Sequence, residues 1–129
     1  MPGTRRRLWL AAALSAPAWR VAAGPAQRFP DVLRATVRAA GTDRFDFDVT
    51  LSSPYDKPQR YADAFRVMGR DGRVFGERTL WHDHANEQPF TRDLYGVAIP
   101  PGVRVVVIQG RDRRHGWGGG TIEVALPGR

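Results

Sequence analysis

Leu33-Arg34-Ala35-Thr36-Val37-Arg38-Ala39, the turn Gly41-Thr42-Asp43 and Phe45-Asp46-Phe47-Asp48-Val49-Thr50-Leu51 form the stretch whose reading decides the fold. Apolar side chains recur at every second position in both arms, the period at which a strand presents one face. Leu33, Ala35, Val37 and Ala39 share one side, and Phe45, Phe47, Val49 and Leu51 do the same in the second arm. The three-and-four spacing of a helix is absent. Two half-buried antiparallel strands follow. Asp46 and Asp48 fall on the solvated face opposite Arg34 and Arg38, where cross-strand charge pairs help modestly.

Working outward, a Pro-flanked loop from Ser53 to Arg60 leads to a strand at Tyr61 to Met68. Gly69-Arg70-Asp71-Gly72 reads as a hairpin turn into a strand at Val74 to Trp81. Phe90 to Ile99 is stopped by Pro100-Pro101-Gly102. Val103 to Ile108 is the apolar run of a central strand, and Thr121 to Leu126 is the last strand. Seven short strands with turn signals between them predict an antiparallel two-sheet sandwich of the immunoglobulin or fibronectin type III kind. With no cysteine pair, the fibronectin-like variant fits better. The domain is expected to span residues 31–127, after a linker at 24–30.

The front of the chain reads differently. Arg5, Arg6 and Arg7 precede an apolar run from Leu8 to Trp19. Twelve residues in a helix rise about 18 Å, short of the roughly 30 Å hydrocarbon core, so residues 1–23 are expected to be a cleavable signal peptide and not a spanning anchor. Cleavage is placed after Ala23. Thr4-Arg5-Arg6-Arg7-Leu8-Trp9 also resembles a twin-arginine export signal, an alternative to general secretion that the sequence leaves open. The expected location is periplasmic or secreted, with no membrane span in the remaining chain.

Composition narrows the chemistry. The 129 residues carry a formal charge of +7, but four of the twenty basic residues lie in the first 23 and all thirteen acids lie beyond residue 30. The body therefore lacks the clustered basic stripe of a nucleic-acid binder, and no nucleic-acid partner is expected. The absence of cysteine removes disulfides, thiolate metal sites and a cysteine nucleophile. Ser52 and Ser53 have no Gly-x-Ser-x-Gly elbow around them. The outward carboxylates of the strands lack an enclosed pocket for acid–base work. The chain is expected not to be an enzyme.

The strand order of such a sandwich brings the Ser53–Ala62 loop, the end of the Val74–Trp81 strand and an Asp112–Gly120 loop to one end, and all three histidines are there. His82 and His84 are two apart and share a face if the strand persists. With His115 in the glycine-rich loop, and Asp63 or Glu87 completing the set, they form a candidate site for Zn(II) or Cu(II). Because His-x-His is common, a plainer reading stands beside this one: His82 and His84 cap a strand end through Glu87 and loop carbonyls. Arg92 is expected to tie loops together by pairing with Asp63, Asp112 or Glu87. Tyr61, Trp81 and Trp117 suit either an aromatic platform for a peptide or glycan or plain packing.

Tyr61-Ala62-Asp63, His82-x-His84-x-x-Glu87-Gln88-Pro89-Phe90-Thr91-Arg92 and His115-Gly116-x-Gly118-Gly119 resemble a family of small exported bacterial proteins of unknown function. The likeness runs from about Asp31 to Pro127. It implies an exported sandwich whose interesting end is the one gathered above, and it carries no reaction. Two functions follow as expectations. One is a metal-binding domain of the envelope; the other is a metal-free module that docks another envelope protein or a glycan.

Overall fold

The computed structural model of the protein describes residues 26–129; the expected signal peptide and its arginine motif lie outside the described residues. Seven strands follow one another: β1 (Asp31–Ala39), β2 (Arg44–Ser52), β3 (Ala62–Met68), β4 (Val74–Thr79), β5 (Phe90–Ala98), β6 (Val105–Asp112) and β7 (Gly116–Ala125). They form a three-stranded sheet in the order β1-β2-β5 and a four-stranded sheet in the order β4-β3-β6-β7. Every pairing is antiparallel. The all-β two-sheet sandwich read from the alternation is the fold observed.

The central strands carry the core. Phe45, Phe47, Val49 and Leu51 of β2, with Phe90 and Val97 of the neighbouring β5, face Phe65 and Val67 of β3 and Val106 and Ile108 of β6 across the inter-sheet space. Between the edges of the two sheets, the Arg78 guanidinium of β4 pairs with the Asp93 carboxylate of β5. On the outer side of β2, Arg38 reaches Asp48 at 2.9 Å and Asp46 at 3.9 Å, the cross-strand pairing expected there.

The structure departs from the alternation in β1. Val32 is 4% exposed and Leu33 is 48% exposed, the reverse of the expected inward Leu33. The register slips between Val32 and Arg34, so two residues of β1 oppose one of β2. Such a bulge resets the period of two. Ala35 and Val37, beyond it, do pack against the core.

A second departure concerns the glycine run. Gly118, Gly119 and Gly120 were expected in a loop but lie inside β7, and the β6–β7 connection is only Arg113-Arg114-His115. The reason is steric. The segment Phe29-Pro30 crosses this strand so closely that a Cβ on Gly118 would sit 2.6 Å from the Phe29 ring, and one on Gly119 would land on the Pro30 carbonyl oxygen. Gly119 also has φ +84°, which disfavours any side chain. The Gly120 amide then donates to Asp31 Oδ1 at 2.8 Å, closing the open side of the sandwich.

Candidate functional site

Three connections meet at one end of the sandwich: residues 53–61, 80–89 and 113–115. Short bonds tie them to one another. The Arg113 amide donates to the Tyr61 carbonyl at 2.9 Å, the Tyr61 hydroxyl donates to the Trp81 carbonyl at 3.2 Å, and the Arg60 guanidinium sits 3.3 Å from the Asp112 carboxylate. Arg60 also donates to the carbonyls of Gln27 and Arg28, so the incoming N-terminal segment reaches the same end.

Beneath this end lie two buried carboxylates. Asp56 accepts the Ala62 amide on Oδ1 at 3.1 Å and the His84 amide on Oδ2 at 3.0 Å, joining the first loop to the second. Gln88 continues the bridge: its Oε1 accepts the Ser53 amide at 2.7 Å while its Nε2 donates to the His84 carbonyl. Asp112 accepts the amides of Arg114 and His115 on Oδ2, which shapes the β6–β7 turn. Burial alone would raise the Asp112 pKa. The Tyr55 hydroxyl, those two amides and Arg60 outweigh it and hold the carboxyl below its ordinary range. Burial first, then Asp112, pushes the Tyr55 phenol upward.

His82 and His84 have opposite environments. β4 ends at Thr79, so no strand carries the pair, and the expected shared strand face does not exist. His84 turns inward, stacked on Phe90 with ring centroids 3.8 Å apart, while His82 stays exposed with its Nδ1 donating to the Asp83 carbonyl. Burial, reinforced by Arg92 and opposed by Asp56, lowers the His84 pKa from its ordinary value of 6.5. Nδ1 of His84 is buried without a hydrogen-bond partner, 3.8 Å from Asp56 Oδ2.

The expected five-residue metal set does not come together. The His82 and His84 rings are 5.1 Å apart and, with Glu87, line a shallow concavity of about 230 Å³. Glu87, however, is engaged by Arg92 at 2.9 Å. His115 packs edge-on against Phe29, and Asp63 faces Arg111 at 3.7 Å. Among the described residues no group of three or more His, Cys, Asp or Glu side chains is arranged to hold a metal ion. Of the partners considered for Arg92, Glu87 is the one it meets.

The aromatic trio also separates. Tyr61 is buried, and Trp117 lies on the outer face of the four-stranded sheet with the Arg66 guanidinium 4.1 Å from its ring centre. Trp81 alone stands out, 82% exposed at the rim of the loop end. Sequence reasoning missed Asp56, Ser53 and Gln88. The only local signal was the Ser53-Pro54-Tyr55-Asp56 turn, in which the Asp56 amide donates to the Ser53 carbonyl.

No protein-family model matches the chain, and no solved structure matches it. A protein of Halomicrobium mukohataei described as "Putative lipoprotein" is 36% identical to it over 97 residues. That match takes in 75% of this chain and 47% of the relative, so the chain spans about half the length of the curated relative it matches.

Proposed function

We propose that the protein is an exported, non-catalytic domain of the cell envelope that works by docking an envelope component on the loop end of its sandwich. Export is supported by the arginine-led apolar segment at 5–19 and by the likeness to a protein described as a lipoprotein. None of these 129 residues is cysteine, so none of them offers a sulfur for a thioether-linked lipid.

One observation carries the docking reading: Trp81 is 82% exposed on a connection whose two sides are pinned. Its carbonyl is held by Tyr61, and His84, three residues on, is held by Asp56. A large aromatic kept outside a core that readily buries Phe47, Phe65 and Phe90 gains contact area only when something covers it, and a rigid support lowers the entropy that contact costs. The concavity lined by His82, His84 and Glu87 beside Trp81 is open and shallow.

The test expresses the full chain in its host and fractionates the cells. The wild type is expected in the washed envelope fraction, trimmed after Ala23 by intact mass, and Trp81→Ala is expected to leave that fraction while keeping its thermal midpoint. A wild type confined to the cytosol, or Trp81→Ala retained as strongly as the wild type, overturns the proposal.

A further inference from the structure

Four exposed cations of the loop end have no acidic partner among the described residues. Arg28, Lys57, Arg113 and Arg114 are all exposed there. None of the four has a carboxylate within 4.0 Å among the described residues. Arg113 is joined to Trp81 through Tyr61: its guanidinium lies 5.3 Å from the Tyr61 ring centre, and the Tyr61 hydroxyl bonds the Trp81 carbonyl. Arg114 follows in the turn that Asp112 shapes, and Lys57 is bridged through its backbone to Arg60. The acids of this end keep their charge but are engaged elsewhere. Asp56 and Asp112 are buried, Glu87 is paired with Arg92, and Asp31 and Asp83 accept backbone amides.

The N-terminal segment enters the fold at this same end, where the Ser52 carbonyl and the Arg60 guanidinium hold Gln27, which places Arg28 beside the loop residues.

We propose that the component docked by the loop end is the surface of an anionic lipid bilayer, with Trp81 at headgroup depth and Arg28, Lys57, Arg113 and Arg114 against the lipid phosphates. Tryptophan favours that depth because its ring is apolar and its N–H polar. Cationic side chains near an anionic surface each strengthen binding roughly fivefold and act within a Debye length of about 10 Å at 0.1 M salt. The proposal rests on the docking reading and names its partner.

The experiment uses residues 24–129, which contain all seven strands and the buried core. Co-sedimentation with vesicles of phosphatidylglycerol is compared with vesicles of phosphatidylcholine and with an acidic polysaccharide. Binding to the anionic vesicles alone is expected, with a blue shift in tryptophan emission that Trp81→Phe abolishes. Arg113→Ala with Arg114→Ala is expected to weaken it about thirtyfold, and 1 M salt to remove it. Arg104→Ala changes the net charge at the opposite pole and is expected to leave binding unchanged. No binding to the anionic vesicles, equal binding to neutral ones, preference for the polysaccharide, or an equal loss in Arg104→Ala overturns the proposal. If Trp81-dependent envelope association persists in cells while vesicles fail, only the lipid partner falls. If both fail, the docking reading falls with it.

Discussion

Replacing Asp56 tests the internal logic of the loop end, because one buried carboxylate holds two connections together. Its oxygens accept the Ala62 and His84 amides at 3.1 and 3.0 Å. Asp56→Ala leaves both N–H groups buried without an acceptor, and each such group costs about 1–3 kcal/mol, so the expected loss is about 2–6 kcal/mol. At roughly 4–8 °C per kcal/mol for a domain of this size, the thermal midpoint should fall by about 10 °C or more. Asp56→Asn keeps one acceptor oxygen and turns an NH₂ toward the other amide, and should fall between the variant and the wild type. Urea denaturation gives the stabilities. Amide hydrogen exchange gives the location: the His84 and Ala62 amides should exchange slowly in the wild type and fast in Asp56→Ala. A loss under about 1 kcal/mol, or unchanged protection at His84, would refute the reasoning that Asp56 pins the Trp81 connection.

Three further outcomes are expected. Val32→Ala should cost about 2 kcal/mol while Leu33→Ala stays within about 0.5 kcal/mol, since the bulge buries the first and exposes the second; the reverse order in denaturant melts would put the register wrong. Gly119→Ala should destabilise the domain and raise trypsin cleavage at Arg28, because its Cβ meets the Pro30 carbonyl at positive φ, and an unaltered digestion rate would count against that crossing. His84, held neutral by burial, contributes stability that is fully present above 6.5 and is lost as pH falls below it, since the unfolded chain then binds more protons. Asp112, with its lowered pKa, contributes stability that is lost only as pH falls below 3.8. His84→Phe should therefore remove the slope just below pH 6.5 and keep the more acidic one, and an unchanged profile speaks against a buried neutral imidazole.

The alternation of Phe45, Phe47, Val49 and Leu51 made β2 and its core face legible from the chain alone, because a strand's side chains repeat every two residues whatever packs on them. The hairpin at Gly69–Gly72 was equally local, and the gathering of three connections at one end followed from an antiparallel order. What sat where within that end did not. His82 and His84 look alike in sequence and differ in fate because Phe90 and Asp56, from other parts of the chain, meet only one of them. Gly118 and Gly119 read as a loop because nothing near them in sequence reveals that Phe29 and Pro30 pass over β7. The period of two encodes which face a residue takes, whereas bulges, crossings and buried polar partners depend on distant segments. Those were decided only when the two sheets closed on each other.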